Sequence, residues 1–288
     1  MHSSFRTVFG TFPTQSVVIP VVVHVVYNTN DQKITKQQVL SQIPILNDDY
    51  SMKNHDINTV PAVFKTLIAN TGIQFEMAKI DPKGNPTDGI EYVKTNVNEF
   101  VYTDSCIKFS KCGGADIWPR DKYLNIWVCN LSGGVLGCAQ FPGGPAATDG
   151  VVIHFKAYGT GGVMLDHYDK GRTATHEIGH WFDLFHIWGD DGDACTGSDQ
   201  VKDTPNQANA NGGCPVFPHV TCDNAPNGDL FMNYMDYVDD TCMKMFTKGQ
   251  VQRMQLALYG PRSSFLKPTT SNALRTKSNE AKARLNEY

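Results

Sequence analysis

Thr175-His176-Glu177-Ile178-Gly179-His180-Trp181-Phe182-Asp183-Leu184-Phe185-His186 is the stretch on which the reading of this chain turns. As a helix it sets His176 and His180 one turn apart on one face. Two imidazoles at that spacing can bind one zinc ion. Glu177 then lies beside the metal, where it can polarise a bound water. His186 follows His180 by six residues. On a continued helix it would point about 240° away. It reaches the metal only if the helix stops and the chain folds back, and the stop is expected near Asp183.

Strand and loop patterns precede this helix. Val17 to Tyr27 (VVIPVVVHVVY) is apolar and β-branched, and reads as a strand buried on both faces. Val39, Leu40, Ile43 and Leu46 recur at helical spacing, so residues 36–48 form an amphipathic helix that contains Pro44. Ile73 to Ile80 alternates as a half-buried strand, and Tyr123 to Leu131 and Val151 to Phe155 read as further strands. Glycines and prolines flank Val135 to Gln140, which suits a short edge strand. Residues 187–230 are rich in Asp, Gly, Asn, Pro and Cys, an unusually long irregular region that bridges or ions must hold. Thr247 and Gln250 form a capping-box pattern for a last helix ending near Gly260-Pro261.

The 288 residues, 41% hydrophobic and 19% charged, suffice for a packed core. A net charge of −4 gives no general attraction to nucleic acid. No apolar run is long enough to span a membrane. The eight cysteines include no CxxC pair, which disfavours a cysteine-ligated zinc. An even, scattered set fits four disulfides and secretion, in about 105 possible pairings. The N-terminus lacks the pattern of a signal peptide, so a processed chain with a longer precursor is expected. Residues 1–16 read as a polar arm, a propeptide remnant in which Arg6-Thr7 is a weak candidate for maturation cleavage. Residues 17–266 form the catalytic domain, divided at about 186/187, and 267–288 a polar tail. His24 and His154 lie in strands and read as structural.

The extended motif HExxHxxxxxH, followed by Met232-Asn233-Tyr234-Met235-Asp236-Tyr237, resembles the metzincin metallopeptidases with their methionine turn. Tyr123 to Trp127, Thr148 to Ile153, Asp203-Thr204-Pro205 and Asn233 to Tyr237 are more narrowly similar to the pappalysin family, in its bacterial, cytophagalysin-type branch. The resemblance covers about residues 17–262 and implies a mixed α/β (α+β) metzincin-like domain. A twisted, mostly parallel sheet with a backing helix and the active helix would be followed by an irregular, disulfide-rich C-terminal subdomain. It implies zinc on His176, His180 and His186, Glu177 as general base and Tyr237 as oxyanion donor. Met235 would floor the site, and the rim Val135, Leu136, Gly137, Cys138 and Ala139 would bind an extended protein or peptide substrate. It also implies a structural calcium on Asp199, the Val201 carbonyl and Thr204, and a preference for Arg or Lys after the scissile bond. The implied bridges are Cys195–Cys222 and Cys214–Cys242, which leave Cys106–Cys112 and Cys129–Cys138 as local pairs. The chain departs from the family at Asp183, where relatives carry glycine; aspartate tolerates the left-handed turn better than most residues. Two rivals remain at this stage: a zinc hydrolase with a glutamate third ligand, and a zinc-stabilised binding module. The first lacks a suitable helix, and the second has no need of Glu177.

Overall fold

A computed structural model describes residues 16–266. The expectations for the arm before residue 16 and for the tail from residue 267 lie outside them. The sheet is built on β1 (Val17–Tyr27). The first half of β1 pairs in parallel with β2 (Ile73–Met77) and the second half with β3 (Ile90–Lys94). Its other edge takes β4 (Leu124–Cys129), also parallel, so β2 and β3 lie end to end along one edge. Beyond β4 come β6 (Val151–His154), parallel, and β5 (Gly137–Ala139), antiparallel at the margin.

The middle of β1 is buried on both faces from Val21 to Val26, whereas Val18 near its start is exposed. Two-sided burial follows from parallel pairing, which leaves both faces to be covered. Each fully buried aliphatic side chain contributes roughly 1.5–3 kcal/mol. The sequence pattern did not reveal β3. None of its residues is fully buried, so it shows no core stripe. Its Glu91 instead pairs with Nδ1 of buried His24 at 2.7 Å.

Helix α1 (Lys36–Tyr50) backs the sheet and starts at Thr35, whose hydroxyl accepts the Gln38 N–H at 3.1 Å. It runs through Pro44. Buried Gln38 donates to the Tyr158 carbonyl at 3.0 Å and buried Gln42 to that of Gly171 at 2.9 Å. Its polar side chains therefore hold the segment that leads into the next helix. That helix, α2 (Arg172–Trp181), is buried along its whole length. Asp49 of α1 joins α2 to the methionine turn. It pairs with Arg172 at 3.1 Å and accepts the Thr175 hydroxyl at 2.7 Å and the Tyr234 hydroxyl at 2.9 Å. The last helix, α3 (Lys248–Tyr259), carries the complete Thr247/Gln250 capping box and buries Val251, Met254 and Leu258.

Between α2 and α3 the chain is irregular and is tied by the bridges Cys195–Cys222 and Cys214–Cys242. The two local bridges are a correction: Cys106, Cys112, Cys129 and Cys138 are free thiols. Cys129 lies on β4 and Cys138 on β5, with β6 between them. Two strand spacings amount to about 9.5 Å, beyond the roughly 7 Å limit between bridged α-carbons. Cys106 and Cys112 are close enough for Cys112 to push the Cys106 thiol up to about 11, yet they are unbridged.

Candidate metal centre and active-site cleft

Helix α2 ends in a Schellman turn. The Leu184 N–H reaches back to the Gly179 carbonyl at 3.0 Å and the Asp183 N–H to that of His180 at 2.9 Å. Asp183 takes the left-handed conformation at φ 76°. The chain thus reverses where the glycine-like residue stands, and His186 is carried back to the helix face.

His180 Nε2 lies 3.0 Å from His176 Nε2 and 3.1 Å from His186 Nε2. Each Nδ1 has an acceptor at 2.7 Å: the Tyr234 carbonyl for His176, the Leu184 carbonyl for His180 and the Asp190 carboxylate for His186. A neutral imidazole carries one N–H, so each proton sits on Nδ1 and three Nε2 lone pairs converge with no hydrogen between them. The separations are close to the edge of about 3.3 Å implied by tetrahedral Zn–N bonds of about 2.0–2.1 Å. Burial keeps the three rings neutral. It holds His176 well below the usual histidine range, pushes His180 down to about 4 and lowers His186, and the neighbouring imidazoles add to the effect at His176 and His180. This donor set fits zinc.

Met235 is fully buried beneath the helix. A β-carbon on Gly179 would come within 2.5 Å of its sulfur, so a side chain there would displace the floor. Glu177 faces a cleft of about 350 Å³ with His176, Tyr237, Leu136, Gly137, Tyr168, Thr173 and Met243. Burial pushes its carboxyl up to about 8; a dication alongside acts in the opposite direction. A β-carbon on Gly137 would approach Glu177 Oε1 to 2.8 Å, so strand β5 runs directly over this carboxylate. The Tyr237 hydroxyl stands 3.1 Å from His186 Nε2. Burial, followed by Glu177 and Asp190, pushes it up to about 12, so it is a hydrogen-bond donor at neutral pH.

The structure brings Glu177, Tyr237 and part of the expected rim (Val135, Leu136 and Gly137) to one cleft. Cys138 instead lines a separate recess with Ala139 behind β5. Tyr168, Thr173 and Met243 on the cleft wall were not anticipated, nor was Trp188, which stacks on His186 at 4.2 Å and 7°. Asp199, Val201 and Thr204 converge away from this cleft. The Thr204 hydroxyl lies 2.9 Å from both Asp199 Oδ2 and the Val201 carbonyl.

Fold and centre together define a metzincin-like zinc metalloprotease. The peptidase M43 family model, described as pregnancy-associated plasma protein-A, matches residues 109–259. Mature mirolysin of Tannerella forsythia, solved with a cleaved peptide, superposes with a TM-score of 0.86 at 49% identity, over 88% of this chain and 96% of that one. An extracellular metalloprotease of Pyricularia oryzae is 31% identical over 253 residues, 83% of this chain and 74% of the relative. Another from Verticillium alfalfae is 46% identical over 144 residues, 49% of this chain and 51% of the relative. The chain belongs to the peptidase M43, or pappalysin, family of peptide-bond hydrolases.

Proposed function

We propose that the protein is a secreted zinc endopeptidase in which Glu177 is the general base and Tyr237 the oxyanion donor. The observation that carries this reading is the convergence of three neutral imidazole lone pairs beside a buried carboxylate in an open cleft. Its relatives are extracellular enzymes, which supports secretion. When bound, zinc supplies a Lewis acid that polarises a water and the scissile carbonyl. Glu177 takes the proton of the attacking water and passes it to the leaving amine. The Tyr237 O–H donates to the oxygen on which negative charge develops. Met235 and the Schellman turn hold the ligands in place meanwhile.

Residues 17–186 form the upper side of the cleft and 187–266 the lower. Strand β5 pairs with β6 on one edge, and its other edge is where an extended substrate adds as a strand, along Val135 to Ala139. The preference for Arg or Lys after the scissile bond draws support from Asp240. Its carboxylate accepts the N–H groups of Lys170 at 2.8 Å and Arg172 at 3.2 Å, on the segment between the cleft residues Tyr168 and Thr173. Its Oδ1 is buried without a partner. Calcium suits Asp199, the Val201 carbonyl and Thr204: one hydroxyl hydrogen cannot serve all the oxygens crowded around it, and a cation binds such a set.

Cleavage of a proteome-derived peptide library tests the reading. The expected product set is chelator-sensitive and enriched in Arg and Lys just after the cut, with the enrichment weakened in Asp240→Asn. Cuts without a basic bias contradict the preference; the absence of any cuts contradicts the peptidase assignment.

A further inference from the structure

We infer that Asp190 is a positioning residue for the metal centre, holding the His186 imidazole in its ligating orientation. The inference rests on the zinc reading above. Two of the three Nδ1 protons go to main-chain carbonyls, those of Tyr234 in the methionine turn and Leu184 in the helix exit. Only His186 depends on a side chain, the Asp190 carboxylate at 2.7 Å.

His186 also needs the most help. His176 and His180 lie on the buried helix α2, whereas His186 lies beyond it and is partly exposed. Trp188 stacks on the ring at 4.2 Å, and the Tyr237 ring meets it edge-on at 4.9 Å. Those contacts fix the plane of the imidazole but not which way round the ring lies in it. The Tyr237 hydroxyl, 3.1 Å from Nε2, meets the same atom that faces the metal position, so Nδ1 is left to select the flip when a metal holds Nε2. A ring flip would keep the stack and turn a carbon toward the metal position. The Nδ1–H bond to a carboxylate selects one flip and one tautomer, and makes Nε2 a stronger donor.

The loop is built to deliver this carboxylate. Asp190 adopts a left-handed φ of 56°, a conformation that persists only when its surroundings enforce it. Asp191 provides that enforcement: its Oδ2 accepts the Thr196 N–H at 2.7 Å, the Thr196 hydroxyl at 2.9 Å and the Gly197 N–H. Between Asp191 and Thr196 the Cys195–Cys222 bridge anchors the same loop. The sequence places Asp190 in an acidic run without distinguishing it from its neighbours; only the fold-back of His186 does.

Zinc transfer from the full chain to a colour-forming chelator tests this, with the cobalt-substituted protein giving an independent spectroscopic readout. Asp190→Ala is expected to lose zinc about 10–100-fold faster than the wild type and to alter the cobalt d–d bands. Asp190→Asn keeps an oxygen acceptor but not the charge, and is expected to fall between, at least about threefold faster than wild type. It carries the test alone if the alanine variant does not fold. Asp193→Ala removes an equal charge from the same loop and is expected to match the wild type. Zinc release and cobalt spectra unchanged in the Asp190 variants overturn the inference while leaving the zinc reading intact. A wild-type chain that binds no zinc defeats that reading instead.

Discussion

The Asp183 carboxylate meets the Arg253 guanidinium at 2.9 Å, and Arg253 Nε also donates to the Asp183 carbonyl. A residue in left-handed strain is thereby latched from helix α3 at the point where the zinc helix ends. The strain is on the order of 1 kcal/mol, and a partly exposed ion pair contributes about 0–1 kcal/mol. Asp183→Gly relieves one and loses the other, so the expected net change is within about 1 kcal/mol, with zinc content retained. Asp183→Val puts a β-branched residue at the same φ and is expected to lower both Tm and zinc occupancy. Thermal melts with metal analysis check both; loss of zinc in the glycine variant contradicts this account of the turn.

Tyr237 makes a second prediction. Tyr237→Phe keeps the ring against Trp188 and His186 and removes only the donor. The expected result is a kcat lower by about 10²-fold with KM little changed. An unchanged kcat means that the tyrosine is only packing.

The pH dependence of stability has a definite sign. Burial pushes Asp49, Asp199, Asp236 and Asp240 each up to about 6. A folded-state pKa raised above the unfolded value of about 3.9 gives stability that is fully present below about pH 4 and lost as pH rises through about 6. Calcium at Asp199 favours the carboxylate and opposes that loss. Calcium is therefore expected to raise Tm more at pH 7.5 than at pH 5, read by calorimetry of the calcium-stripped chain with and without the ion. An equal or absent effect at both pH values contradicts the Asp199 site.

Thiol counting separates the two readings of the cysteines. The structure gives four thiols, at Cys106, Cys112, Cys129 and Cys138, and the expectation of four bridges gives none. Denatured, unreduced protein is expected to titrate all of them, with buried Cys129 silent until unfolding. A count of zero contradicts the free-thiol assignment.

What could be read from the sequence was mostly local. His176 and His180 share a helix face because of the 3.6-residue turn, and Asp183 marked the exit because few residues accept left-handed φ. The long strand β1 was legible because its apolar run is nearly unbroken. Strand β3 was not, since it has no fully buried residue and so no stripe. The Cys129–Cys138 pairing failed because closeness in sequence says nothing about β6 entering between their strands. Trp188 and Asp190 gain their roles only once the chain has folded back, so no spacing rule exposes them.

Replacing Glu177 with glutamine, with zinc content and peptide turnover measured on the same preparation, tests the central claim most directly. The account predicts one zinc per chain in both proteins, and a kcat at least about 10²-fold lower in the variant. Turnover unchanged by the substitution, or a wild type still active after chelation has removed its zinc, contradicts it.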